Sequence, residues 1–167
     1  NRLQHQLASR LLARHGLATA DAGEAPYVAL MSGGDTLALS SRPGDAATLD
    51  AIRRLSPRDA VRWPEFLAFM SAATGFIDAA YRTPMPRMER SELLANGLPL
   101  ASLLWKLRRL GKRDLFRVIR SLSMSAQEFT DDWFEAEPLK AALGALAVHG
   151  MTLGAYSAGT GYTLLHN

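Results

Sequence analysis

Apolar residues recur every three or four positions through most of this chain, and no other feature constrains the fold as strongly. This spacing places side chains on one face of an α-helix. The clearest stripe consists of Phe66, Met70, Ala73, Ile77 and Ala80, widened by Phe69, Phe76 and Tyr81. Further stripes consist of Leu3, Leu7, Leu11 and Leu12; of Leu100, Leu103, Leu104, Leu107 and Leu110; of Leu115, Val118, Ile119 and Leu122; and of Leu139, Ala142, Leu143 and Leu146. The spacing predicts a mainly α fold, a bundle-like domain of about six to eight helices.

Local signals mark where several helices begin. Ser56 is suited to an N-cap, with Pro57 at the first helical position and Asp59 in the first turn. Pro64 then predicts a kink or a restart of the helix, because proline removes one backbone donor. The sequence SAQE, Ser125 to Glu128, is typical of a capping box. A helix is also expected from Asp45 to Leu55.

One β-hairpin is expected near residues 27–40. Two short apolar runs flank the sequence SGGD, in which Gly33 and Gly34 tolerate positive φ. A lone hairpin is marginally stable in water, so it should lie on helices or join further strands. We expect one of its edges to be unpaired, which would allow hairpin-mediated self-association.

Length and composition fit one domain over residues 1–167. The hydrophobic fraction is 48% and the charged fraction 21%, both ordinary for a globular protein. There is no cysteine, which excludes disulfides and thiolate sites and fits a cytoplasmic location. The chain starts without an initiator Met or an apolar signal core, so we expect a segment of a longer protein. No apolar run approaches the roughly 18 residues that span a bilayer.

Charge is concentrated in two neighbouring blocks. Residues 106–120 hold seven cations and one acid, whereas residues 128–137 hold five acids and no cation. The two blocks either face each other or serve different partners. For residues 100–120 we favour core-packed helices with solvated arginines; contact with an anionic membrane surface is the alternative. A single basic block supports a nucleic-acid partner poorly, and we expect none.

Four acids surround Trp133 and Phe134, and they raise the question of a catalytic carboxylate pair. A general acid and base need two carboxylates that converge on one substrate from different environments. Asp131 and Asp132 are adjacent in sequence and so diverge on a helix, while Glu135 and Glu137 lie at the start of the next helix. Negative charge is favourable there, and Pro138 suits the first turn. We therefore interpret these acids as helix-start residues and predict no catalytic residue in this chain.

Metal and nucleotide motifs are equally weak. No metal-ligand spacing joins the four histidines, which are His5, His15, His149 and His166. Gly159-Thr160-Gly161 lacks the third glycine and the preceding strand of a dinucleotide fingerprint. We predict a loop that permits close backbone approach there, and no cofactor-binding or metal-binding residue.

Two stretches carry a family resemblance: SPRDAVRWPEFLAF, and the segment that begins WFEAEPLKAAL and runs to Asn167. They resemble the phytoene-desaturase-like FAD-dependent oxidoreductases, including the pyridine-nucleotide-disulfide-oxidoreductase-domain-2 type. The resemblance covers about Leu11 to Asn167 and is densest from Asp132. The sequence lacks that family's glycine-rich FAD fingerprint.

The resemblance implies a helical substrate or cap region of a larger flavoenzyme that acts on a lipophilic substrate. FAD would then be bound by another domain of the same parent chain, and this region alone would be inactive and cofactor-free. It could also lie peripherally on a membrane. The alternative is a stand-alone helical module that binds a protein or a membrane surface and has no redox activity.

Overall fold

The structure is a computed structural model, and it describes residues 14, 26–31, 33–82, 105, 108, 111 and 114–166. The hairpin strands are β1 and β2, and five helices are α1 to α5. Their bounds are β1 Tyr27–Leu30, β2 Thr36–Leu39, α1 Ala46–Leu55, α2 Pro57–Arg82, α3 Ala126–Asp131, α4 Glu137–Ala147 and α5 Thr160–His166. Residues 114–121 are also helical and are called helix 114–121.

The hairpin lies where the sequence predicted it. The strands are antiparallel, and Ala29 lies opposite Leu37 in the register. Gly34 has a φ of 82°, and its N–H donates to the carbonyl of Met31 to close the turn. The inner face buries Leu37 and Leu39 against the core, so the hairpin rests on helices as expected.

Helix α1 is capped by Asp45, whose side chain accepts a hydrogen bond from the N–H of Thr48 at 2.9 Å. The expected helix from Asp45 to Leu55 is therefore correct, with Asp45 as its cap. The Thr48 hydroxyl also accepts a hydrogen bond from the N–H of Ser40 at 3.0 Å, just after β2. This contact ties the second strand of the hairpin to α1.

Helix α2 begins at Pro57, as predicted, and the Ser56 hydroxyl accepts the N–H of Asp59 at 3.2 Å. The helix then continues through Pro64 as one element of 26 residues. Of the two outcomes predicted at Pro64, the restart is therefore wrong, and the kink stays a prediction. Trp63 and Phe66 flank the proline and are both buried. Their packing offsets the one backbone hydrogen bond that proline removes.

The core is centred on aromatic rings from α2 and from residues 129–134. Phe66 makes edge contacts with Trp133, at 5.5 Å between centroids, and with Phe134, at 4.9 Å. Such contacts add to the area that the rings bury. The cluster consists of Trp63, Phe66, Phe69, Phe129, Trp133 and Phe134. In the α2 stripe, Ala73 and Ile77 are buried, Met70 and Phe76 are half-buried, and Ala80 and Tyr81 are exposed.

The three C-terminal helices pack on this core through buried apolar faces. Helix α3 has the predicted capping box, in which Ser125 and Glu128 bond reciprocally. In α4, Leu139, Ala142 and Leu143 are buried, as their spacing predicted. Thr163 of α5 donates its hydroxyl proton to the carbonyl of Ala147 at 2.7 Å, which joins α5 to the end of α4.

One predicted stripe is only partly correct. In helix 114–121 Val118 is buried, but Ile119 and then Leu122 are half exposed. Within residues 114–121 only a narrow face that includes Val118 and Ser121 is buried, so the wider stripe that the spacing predicted does not fit against the core.

The mainly α class with one hairpin is confirmed. The helix predicted near residues 2–15 and the leucine stripe of residues 100–110 lie outside the described residues. One domain over residues 1–167 stays a prediction for the same reason.

Candidate functional site

The buried carboxylate of Asp59 anchors the acidic segment, which we define as residues 128–137. Asp59 is 1% exposed. Both of its oxygens accept the N–H of Glu135 at 3.1 Å, and one accepts the N–H of Ala136 at 2.8 Å. These N–H groups precede α4 and are free of helical partners, so a carboxylate here satisfies donors at the positive end of the helix dipole. Asp59 thus acts as a cap supplied from another helix.

The side chain of Glu135 points back to α2. Its carboxylate accepts the hydroxyl of Ser56 at 2.9 Å and the guanidinium of Arg58 at 3.0 Å. Arg62 donates to the carbonyl of Trp133 at 3.0 Å. Hydrogen bonds from the start of α2 therefore fix the turn between α3 and α4, and Glu135 takes part in two of them.

Asp131 and Glu137 share one cation. The ammonium of Lys140 lies 2.7 Å from Asp131 and 2.6 Å from Glu137. Hydrogen bonds to Asp131 first, and to Glu137 second, raise the pKa of Lys140 above its usual value. The side chain of Lys140 is almost fully covered, and both carboxylates pair with its charge.

The basic and acidic blocks face each other through helix 114–121. Arg120 lies 3.3 Å from the carboxylate of Asp132. The guanidinium of Arg117 stands over the ring of Trp133, 4.6 Å from its centroid, which is cation–π distance. The facing arrangement that the sequence left open is therefore the observed one. Two of the cations in the basic block therefore have partners within the chain.

The fifth acid of the segment, Glu128, completes the α3 cap. The backbone N–H of Ser125, and next its hydroxyl, hold the pKa of Glu128 below its ordinary value. All five acids of the segment thus have a hydrogen-bond or ion-pair partner within the chain.

Glu137 lies in the first turn of α4, as the helix-start interpretation requires. That interpretation is wrong for Asp131 and Asp132, because Asp131 ends α3 and Asp132 is its C-cap, and their charges are paired with Lys140 and Arg120. The absence of a catalytic residue stays a prediction.

The glycine loop before α5 is packed against the turn after helix 114–121. The N–H groups of Gly159 and Gly161 both donate to the carbonyl of Met124 at 3.0 Å. A Cβ placed on Gly161 would lie 3.1 Å from the carbonyl oxygens of Met124 and Ser121. The prediction of close backbone approach is confirmed. These two N–H groups are therefore engaged within the chain, and the absence of a cofactor-binding residue in the loop stays a prediction.

Among the described residues, no group of three or more His, Cys, Asp or Glu is placed to hold a metal ion. His149 is exposed just after α4. His5, His15 and the side chain of His166 lie outside what the structure describes. In the described helices there is also no stretch long and apolar enough to cross a bilayer.

In the described part of the chain, exposed apolar side chains lie on helix 114–121 and on the hairpin, among other places. Helix 114–121 turns Phe116, 70% exposed, and Ile119, 55% exposed, away from the core. The hairpin exposes Val28, at 51%, and Leu30, at 83%, on its outer face. Sequence spacing missed the first surface because it assigned Ile119 to the core, and it indicated the second only as an unpaired edge.

Comparisons with known proteins place the chain beside an oxidoreductase-domain protein. It is 31% identical over 128 residues to pyridine nucleotide-disulfide oxidoreductase domain-containing protein 2 of Rattus norvegicus. The matched region covers 70% of this chain and 21% of that relative, so the chain spans about a fifth of the relative's length. No family model and no solved structure matches the chain. The similarity supports a relationship to oxidoreductases of this type.

Proposed function

We propose that this chain is the helical substrate or cap region of an FAD-dependent oxidoreductase that resembles the phytoene dehydrogenases. In this proposal the region lines part of the pocket for a lipophilic substrate and performs no catalysis alone. The observation that carries the proposal is the 31% identity to the rat protein over 128 residues. That relative is named for an oxidoreductase domain, and the match covers only about a fifth of it.

The described residues fit a region without a cofactor site of its own. In the glycine loop, the N–H groups of Gly159 and Gly161 donate hydrogen bonds to the carbonyl of Met124. The five acids of the acidic segment are paired within the chain. FAD would therefore contact other residues of the parent protein. Those residues belong to the FAD-binding domain that we propose as the partner of this region.

Flavin content tests the proposal directly. We expect the 167-residue chain to purify colourless and to melt at the same temperature with and without added FAD. We expect a longer polypeptide with the native flanking sequence on both sides to carry flavin that denaturation releases. Stoichiometric FAD on the short chain would refute the placement of the cofactor. A longer polypeptide without flavin, and with no glycine-rich strand–turn–helix unit upstream, would refute the flavoenzyme proposal.

The lipophilic substrate is tested separately. A fluorescent long-chain apolar probe should bind the flavin-containing longer polypeptide, and a water-soluble analogue with the same fluorophore should not. Equal binding of both probes, or of neither, would contradict an apolar pocket. Flavin content is unaffected by this outcome, so the two parts of the proposal fail independently.

A second candidate function follows from Phe116 and Ile119. Exposed apolar residues beside a block of seven cations are typical of helices that lie on anionic membranes. In this alternative the chain is a stand-alone module that binds a membrane surface and has no redox role.

Vesicle sedimentation tests this alternative. The chain should then bind vesicles of mixed phosphatidylcholine and phosphatidylglycerol, and salt should weaken the binding. Phe116→Asn should reduce the binding, whereas Val61→Asn, at another exposed apolar position, should not. Equal loss in both variants, or no binding at all, would count against the membrane module.

A further inference from the structure

We propose that strand β1 pairs edge to edge with β1 of a second copy of this chain, in an antiparallel register centred on Ala29. This inference does not rest on the proposed function. It follows from the hydrogen-bond directions within the hairpin, from the exposed side chains of β1 and from the lack of charge along its edge.

The register decides which backbone groups of β1 are available. Met31 donates its N–H to the carbonyl of Asp35 at 2.8 Å, a hydrogen bond that continues the register one position beyond the strands. Bonded and non-bonded pairs alternate in an antiparallel ladder. Val28 and Leu30 are therefore in non-bonded pairs, opposite Ala38 and Thr36. Their N–H and C=O groups point away from β2, toward the free side of the hairpin.

The two edges of the hairpin differ. On the β2 side, the N–H of Ser40 donates to the hydroxyl of Thr48, so α1 approaches that edge. On the β1 side, no hydrogen bond joins the backbone of Val28 or Leu30 to a described residue outside the hairpin. Because unpaired strand edges accept further strands, β1 is the edge that can pair.

A second copy fits this edge because the edge is self-complementary. A two-fold axis at Ala29 places Val28 opposite Leu30 of the second copy, and Leu30 opposite its Val28. Each of these pairs exchanges two backbone hydrogen bonds. The exposed Val28 and Leu30 side chains then become cross-strand neighbours and cover one another.

Charge does not oppose this contact. The strand sequence YVAL carries no charge, so two copies of net charge +3 meet at a neutral edge. Neither lysine nor proline lies within β1, although these residues commonly protect edges. Four residues per copy bury much less than the roughly 1,200–2,000 Å² of a stable interface. We therefore expect a weak dimer that dissociates on dilution.

Sedimentation velocity over a range of concentrations is the first test. The chain should show a concentration-dependent dimer. Leu30→Pro removes one outward-pointing N–H without removing a β1–β2 hydrogen bond, so the dimer should be lost. Thr36→Pro is the matched control, because it places proline in the same cross-strand pair but on the β2 edge. This variant should retain the dimer.

Cysteine pairing tests the register, because the native chain has no cysteine. In the proposed register, positions 28 and 30 of different copies are about 5.5 Å apart at Cα, within disulfide range. Mixing Val28→Cys with Leu30→Cys should therefore give the mixed disulfide in clear excess over either homodimer.

The proposal is overturned by a chain that stays monomeric at every concentration. It is also overturned if both proline variants behave alike, or if homodimers and mixed disulfide form equally. A longer native polypeptide that stays monomeric and shields a cysteine at position 30 from a thiol reagent would assign the edge to its own chain, and would also overturn the proposal.

Discussion

The carboxylate of Asp59 accepts the backbone N–H of Glu135 through both oxygens at 3.1 Å, across a sequence separation of 76 residues. Asp59 belongs to the first turn of α2, whereas Glu135 precedes α4. One buried side chain therefore fixes the start of α4 relative to α2. The acidic segment, which first suggested catalysis, is held in place by a sixth acid outside it.

Removing the charge of this cap should destabilise the fold. Asp59→Asn keeps the size but leaves one oxygen as acceptor and turns an NH₂ group toward backbone donors. We expect a loss of about 1–3 kcal/mol in the free energy of unfolding, the usual range for an unsatisfied buried group. Urea unfolding measures it. Asp50→Asn, which removes only an exposed pair with Arg53, should change stability by less than about 1 kcal/mol. Equal effects would contradict the role given to Asp59.

The close approach at Gly161 predicts intolerance to any side chain. In Gly161→Ala the new methyl would lie 3.1 Å from two backbone carbonyl oxygens, so the loop or the turn must move. We expect a loss of about 1–3 kcal/mol. Gly75→Ala in α2 is the control, because its methyl meets no atom within 4 Å. There we expect a gain of up to about 1 kcal/mol from helix propensity. Thermal unfolding of both variants shows whether Gly161→Ala lowers stability while Gly75→Ala raises it.

The hydroxyl pair of Tyr81 and Tyr162 predicts a loss of folding stability at alkaline pH. Burial, and next the hydrogen bond with Tyr81, raise the pKa of Tyr162 from 10.0 to about 12. A pKa that is higher in the folded state stabilises the fold below the unfolded pKa. This contribution is therefore complete below pH 10.0 and is lost as the pH rises to about 12.

Replacing Tyr81 separates the two causes. In Tyr81→Phe the pKa of Tyr162 should fall but stay above 10.0, because burial is the larger cause. Phenolate absorbance during an alkaline titration measures this pKa. Tyr156→Phe removes a highly exposed phenol and should leave the late-titrating group unchanged. A late group that persists unchanged in Tyr81→Phe would contradict the hydrogen bond as a cause.

Replacing Trp63 with Phe should cost less stability than other substitutions in the aromatic cluster. Its indole N–H is buried and, in the described part of the chain, has no hydrogen-bond partner. Trp63→Phe keeps a ring in the cluster and removes this unsatisfied donor, so lost packing is offset by roughly 1–3 kcal/mol of relief. We expect a net change within about 1.5 kcal/mol by urea unfolding, against about 3–5 kcal/mol for Phe66→Ala. Comparable losses in the two variants would show that the N–H is satisfied.

Much of the local structure could be predicted from the sequence. The Ser125–Glu128 capping box, the start of α2 at Pro57 and the turn at Gly34 all depend on groups within four residues of one another. Their hydrogen bonds form wherever those residues adopt helical or turn geometry, so short sequence patterns are sufficient. The mainly α class followed from apolar spacing for the same reason.

A relationship to oxidoreductases was also predicted from the sequence, because residue types along the chain are what such a comparison reads. The choice between a kinked helix and a restart at Pro64 could not be read from the sequence, since it depends on how well Trp63 and Phe66 pack against rings from residues 129–134. Local propensity is a weak signal where tertiary burial opposes it.

The sequence by itself determined the starts of α1, α2 and α3, with their local caps, and the position of the hairpin. Only the tertiary structure decided that Asp59 caps a distant helix, that Arg117 covers Trp133, and that Phe116 faces outward. Each of these depends on which faces of distant elements meet. Burial and pairing at that distance are set by the packing of the whole core, and no pattern within a few residues carries that information.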